Sequence, residues 1–290
     1  MNGTLLLGYD VEHLPGRVPG LKWAGITLPP DTTEIFFRSA IEMHKSLDAP
    51  ATIFILGCKI RENIPWLEKC LASGLFEIAH HTFSHYPLKT IVEESPEKVY
   101  LPGLPFHKIE NEIAKPIGLL KKHLGIKCRG MTAPYLYYRG FADRPDILQL
   151  VKDAGLCYTR SYGRNSNDYC PLDWSIQPFW YQRQGFPGIL ELPAQGWMDA
   201  QWRRAHGWEQ WDRYLAHLKK QARFAARHGL CWSHVQHDWT SIYADPKLQH
   251  TRKFLIHARQ CGLKLMTHNA YYNQLIPSPP RRIRVNLRNQ

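Results

Sequence analysis

Two acids separated by one residue, Asp10 and Glu12, close the apolar run Thr4-Leu5-Leu6-Leu7-Gly8-Tyr9. Two histidines, His81 and His85, follow the run Phe76-Glu77-Ile78-Ala79, and His234 follows Leu230-Cys231-Trp232-Ser233. The H-x3-H spacing would put both imidazoles on one side of a helical turn, where they can chelate one ion. In an extended chain alternate side chains share a face, so both carboxylates can enter one cleft. One of them would complete a two-histidine, one-carboxylate metal site with positions open for water and substrate. The other would remain as a general base. An acidic pair, a histidine pair and a late histidine are the parts needed for metal-assisted hydrolysis.

Each polar cluster sits where a strand-like run ends, the edge at which parallel α/β folds build their active sites. The surrounding pattern predicts alternating elements. Strands are expected at Thr4–Tyr9, Ala51–Leu56, Phe76–Ala79, Lys127–Thr132, Leu156–Ser161, Gly188–Leu192, Leu230–Ser233 and Leu263–Thr267. Helices are expected at Thr32–Leu47, Arg61–Ala72, His107–His123, Pro145–Ala154, Trp208–His228, Asp245–Gln260 and Ala270–Leu275. Repeated βα units imply mostly parallel strands in a single domain, here a distorted (β/α) barrel of about seven or eight strands. Residues 1–276 would form the catalytic domain, and 277–290 a Pro/Arg-rich tail with Arg281, Arg282, Arg284 and Arg288. The aromatic, Pro/Gly-rich stretch Tyr162–Pro187 reads as a long functional loop. Pocket walls are expected from Tyr135, Tyr137, Tyr138, Trp174, Trp180 and Trp197, with Trp197 and Asp199 as the foremost substrate contacts.

Composition sets the outer limits. The 290 residues are 44% hydrophobic and carry a net charge of +12, so the chain should be globular, with a sizeable core. No run approaches the roughly 18 apolar residues of a membrane span, and the N-terminus lacks the basic segment of a signal peptide. Seven scattered cysteines without a CxxC pair suit free thiols in a reducing cytoplasm. The basic charge suggests nucleic acid, but no zinc-finger, RNP-like or helix-turn-helix signal accompanies it, and no nucleic-acid partner is expected. The tail is expected to be solvated or to meet anionic lipid headgroups.

The segment Glu77-Ile78-Ala79-His80-His81-Thr82-Phe83-Ser84-His85 resembles the histidine motif of the polysaccharide deacetylase family (NodB homology, carbohydrate esterase family 4). Gly8-Tyr9-Asp10-Val11-Glu12 resembles its first motif, and Gly130-Met131-Thr132-Ala133-Pro134-Tyr135 its third, usually G-F-R-x-P-Y. Glu191-Leu192-Pro193, Cys231 to His237 and Gly262 to Thr267 resemble its later strands, so the likeness runs from about residue 4 to 276. The resemblance implies that Asp10 is the catalytic base, and that Glu12, His81 and His85 hold one divalent metal, commonly zinc. It further implies that His234 is the acid, with His237 as its rival, and that the Tyr135 amide helps bind the oxyanion. Its activity would be hydrolytic removal of an N-acetyl or N-formyl group from an amino sugar or glycosylated small molecule. Two positions depart from the pattern. Glu12 replaces the usual aspartate, and Thr132 stands where the family has an arginine that orients the base. Arg129, Arg139 and Arg160 are the nearby replacements, and a catalytically weakened glycan-binding relative is the alternative reading.

Overall fold

Eleven strands organise the described residues: β1 (Thr4–Val11), β2 (Ala51–Ile55), β3 (Phe76–His80), β4 (Ile91–Glu93), β5 (Val99–Leu101), β6 (Gly130–Tyr138), β7 (Tyr158–Arg164), β8 (Phe179–Tyr181), β9 (Phe186–Glu191), β10 (Cys231–His237) and β11 (Lys264–Met266). The computed structural model describes residues 3–13, 26–93 and 99–276. The expected tail, 277–290, lies outside them.

The main sheet runs β10-β1-β2-β3-β6-β7-β9-β8, with β11 also on β1. All its pairings are parallel except β8 with β9. Parallel neighbours need long crossovers; most here contain an α-helix, whereas β7 reaches β9 through the segment that carries β8. Buried on both faces, such strands read as apolar runs, and every residue of β1 is buried. Helix Thr32–Leu47 illustrates the packing: its buried positions Phe36, Phe37, Ala40 and Met43 recur at helical spacing and join the core beneath the sheet.

The expectation of a single mostly parallel α/β domain holds. Among the described residues, however, the hydrogen-bonded ladder does not close into a full ring. Side-chain amides span the seam beside β10. Gln177 Oε1 accepts from the Cys231 amide (2.9 Å), Gln195 Oε1 from the Ser233 amide (3.0 Å), and Gln195 Nε2 donates to the Ile176 carbonyl (2.9 Å).

Several boundaries move. Strand β10 runs to His237, four residues beyond the expected end at Ser233, and β6 runs to Tyr138, past the expected Thr132. The expected helix over 208–228 starts three residues later, as Trp211–Arg227, and is preceded by a separate helix, Asp199–His206, that the sequence did not suggest. The expected helix over 245–260 is preceded by a separate short one, Asp238–Ala244. The antiparallel hairpin β4–β5 was not anticipated.

Candidate active site

The C-terminal ends of β1, β3 and β10 meet at one edge. Asp10 lies opposite His237 in the β1–β10 ladder, and His81 follows β3, its amide bonded to the Ile55 carbonyl at the end of β2. Glu12 is the hub. Its Oε2 is 3.0 Å from His81 Nε2 and 2.7 Å from His85 Nε2. Burial alone would raise its carboxyl pKa, but His85, His237 and the hydrogen bonds from His81 and His85 hold it well below the usual range. Glu12, His81 and His85 each offer one ligand atom within 4.8 Å of the others. Two imidazole nitrogens and a carboxylate oxygen fit a divalent transition metal such as zinc. His81 Nδ1 donates to the Thr132 carbonyl (3.2 Å), a bond of the kind that fixes the ring of a metal-binding histidine with Nε2 toward the ion.

The histidine pair does not sit on the helical turn suggested by its spacing. Thr82 and His85 have left-handed backbones, with φ of 58° and 67°, and form an irregular loop after β3. Such strain persists only where surroundings hold it. Glu112, on helix Phe106–Leu124, supplies that hold: Oε2 accepts from the Phe83 and Ser84 amides (3.0 and 2.8 Å), and Oε1 from Ser84 Oγ (2.5 Å). Sequence reading missed Glu112, because it sits amid an ordinary amphipathic helix.

Asp10 is buried beside the metal-compatible set, its Oδ2 3.8 Å from His81 Nε2. Its Oδ1 is bonded by the Arg160 guanidinium from β7. Arg160 is fully buried, donates through Nε to Thr132 Oγ1 (3.0 Å) and lies over the Phe54 ring at 4.2 Å. Thr132 and Arg160 are partners in the β6–β7 ladder. The guanidinium is therefore supplied by the strand next to β6, and Thr132 supports it.

His237 and His234 part company. Side chains alternate along a strand, so residues three apart face opposite ways. His237 Nδ1 is 2.5 Å from Asp199 Oδ1, and Nε2 points toward Glu12 Oε1 at 3.7 Å. Burial would lower its pKa, but Asp199 and Glu12 outweigh burial and push it up to about 10. His234 lies opposite Leu7 instead and packs on Trp232 and Phe254 (4.9 and 5.7 Å). Its Nε2 is 3.4 Å from the Tyr214 hydroxyl, its Nδ1 is buried without a partner, and burial drives its pKa down to about 3. His234, expected as the acid, is thus not brought to the Glu12 cluster, because the strand continues for three residues beyond it and places His237 there.

Asp199 was expected to touch substrate. Its carboxylate is instead engaged by the His237 ring and amide and by Thr240 Oγ1. Trp197 stands edge-on to His206 and Tyr169, outside the Glu12 cluster's bonds. Tyr135 is at the cluster, its ring 4.7 Å from that of His85, at a left-handed position (φ 63°) in the β6 irregularity. Tyr137, Trp174 and Trp180 are not brought there. Tyr137 OH accepts from the Leu88 amide, Trp174 packs on Phe224 and Trp232, and Trp180 on Tyr272.

No curated protein matches the chain in sequence. Among solved structures, it is similar to a Mycobacterium smegmatis protein assigned as a polysaccharide deacetylase, with TM-score 0.65, 13% identity and 96% of each chain covered. An allantoinase is similar at TM-score 0.66 and 15% identity, over 93% of this chain and 89% of that one. A carbohydrate esterase family 4 pseudoenzyme from Bacillus anthracis is similar at TM-score 0.53 and 12% identity, over 93% of this chain and 66% of that one. At these identities the likeness is one of fold. The histidine loop and the Gly130–Tyr135 segment both fall within residues 30–158, and over that stretch the chain matches the polysaccharide deacetylase family.

Proposed function

We propose that the protein is a metal-dependent hydrolase that removes an N-acetyl or N-formyl group from an amino sugar or glycosylated small molecule. The observation that carries this reading is the division of labour among five side chains at one sheet edge. Glu12 faces His81 and His85, Asp10 is held beside them by Arg160, and His237 is held by Asp199. A zinc-like ion at Glu12, His81 and His85 would supply polarisation of the amide carbonyl and acidification of water. Asp10 then accepts the proton of the attacking water, oriented by Arg160. His237, tethered through Nδ1 to Asp199, presents Nε2 to the cleft and protonates the departing nitrogen. An amide needs that proton, because an amine anion is a very poor leaving group. The backbone amide of Tyr135, the residue whose ring meets that of His85, is the proposed donor to the oxyanion.

A silent, glycan-binding relative is the second reading, favoured by Thr132 at the usual arginine position and by the pseudoenzyme that shares the fold. Arg160 speaks against it, since the guanidinium is present from another strand. The test is a screen of purified protein with N-acyl amino sugars, reading acetate and formate. Allantoin is included, because an allantoinase shares the fold. Release from an N-acyl sugar that is lost in His81→Ala together with bound zinc supports the proposal. Zinc bound without turnover of any member favours the silent relative, and turnover of allantoin alone moves the substrate class.

A further inference from the structure

Glu12 is anchored at both ends by one dipeptide. Where β10 ends, Asp238 and Trp239 open the short helix Asp238–Ala244. Asp238 Oδ1 accepts from the backbone amides of Glu12 and His13, each at 3.2 Å, while Oδ2 accepts from Thr33 Oγ1 at 2.8 Å. Trp239 reaches the other end: its indole Nε1 donates to Glu12 Oε1 at 3.0 Å. The two oxygens of Glu12 therefore do different things. Oε2 faces the two histidines of the loop, whereas Oε1 is turned toward Trp239.

We propose that Trp239 is a positioning residue for Glu12, fixing it as a one-oxygen metal ligand; this rests on the metal reading above. A carboxylate binding through both oxygens would take up a coordination position that water and substrate require in a catalytic site. The buried indole N–H removes that option by occupying Oε1. It also accounts for a glutamate at this position. The extra methylene carries the carboxylate out to the indole, and an aspartate would fall about 1.5 Å short. Packing alone does not require the contact. Trp239 is buried beside Trp208 and His237, with ring centroids 5.8 and 5.7 Å away, and a phenyl ring would fill much of the same space.

The test uses the full chain, zinc competition against a chromophoric chelator, and cobalt(II) absorption as a reporter of coordination number. Trp239→Phe should weaken zinc about 10- to 100-fold, the usual effect of losing a partner that orients a ligand. Its cobalt spectrum should weaken in the direction of five-coordination. Trp208→Phe, which removes the neighbouring indole only, should stay within about twofold of wild type. In a Glu12→Asp background, Trp239→Phe should change affinity less than about threefold, since the shorter side chain makes no bond to lose. This double-mutant comparison separates the bond from a general loss of packing. If Trp239→Phe binds zinc and absorbs as wild type does while His81→Ala loses zinc, Trp239 is packing only and the inference is overturned. If His81→Ala binds zinc as wild type does, the metal reading fails, and the inference falls with it.

Discussion

Arg160→Met tests the assignment of the base most directly, because it removes the guanidinium and keeps an apolar stem of similar reach. Arg160 is fully buried and Asp10 is 3% exposed, so the variant strands a buried carboxylate without its cation. Breaking such a pair costs about 3–5 kcal/mol. The folded protein can relieve that cost by moving Asp10, which takes the base from its working position. A displacement of about 1 Å alone can lower turnover about 10²-fold, and full loss of an acid–base group 10²- to 10⁴-fold. The expected result is a kcat lower by about 10² or more. KM and zinc content should change little, since Arg160 bonds none of Glu12, His81 and His85. Thr132 and Arg160 are ladder partners on adjacent strands, roughly 4.8 Å apart. The exchanged variant Thr132→Arg/Arg160→Thr should therefore recover much of the activity that Arg160→Thr loses. Steady-state kinetics on the N-acyl sugar that wild type turns over, with zinc measured alongside, provide the assay. An Arg160→Met enzyme within about threefold of wild-type kcat at equal zinc content refutes the reasoning.

Three further outcomes follow from the same geometry. His237→Ala should lower kcat for amides about 10²- to 10⁴-fold and for activated aryl esters far less, whereas His234→Ala should lose stability and keep the amide-to-ester ratio; the opposite pattern in paired assays would return the acid to His234. Glu112→Ala should loosen the His81–His85 loop and weaken zinc about tenfold, and unchanged affinity in chelator competition would make its three bonds incidental. His44 should make stability acid-sensitive. Its Nδ1 donates to the Ala49 carbonyl and its Nε2 accepts from the Tyr9 hydroxyl, an arrangement that needs the neutral ring. Burial lowers its pKa from 6.5 to about 4, so its contribution is fully present above about pH 6.5 and is lost as pH falls toward 4, on the order of 3 kcal/mol. In chelator-treated protein, the drop in thermal midpoint between pH 7 and 4.5 should be smaller for His44→Gln, and equal drops would exclude His44 as a source.

What the sequence disclosed and what it hid follow one physical line. The first strands were legible because parallel strands buried on both faces are apolar until they end, so the acids after β1 and the histidines after β3 stand out. Strand β10 broke that rule. Ser233, His234, Gln236 and His237 look like the start of a loop, yet all are buried, because other segments supply their partners. Ser233 Oγ meets His268, Gln236 Oε1 meets Thr251 Oγ1, and His237 meets Asp199. Partners 15 to 38 residues away carry no local signal, so the strand seemed to end at Ser233, and His234 rather than His237 was placed at its end. Asp199 was found for a similar reason but given the wrong neighbour: an acid near an aromatic resembles a substrate contact until the fold brings His237 beside it. The choice among Arg129, Arg139 and Arg160 likewise needed the ladder, which sets Arg160 beside Thr132. Paired positions on adjacent parallel strands direct their side chains to the same face of the sheet, as Thr132 and Arg160 do. A guanidinium can then leave β6 for β7 and still reach the same carboxylate. Position 132 read alone therefore hides the cation that β7 brings to Asp10.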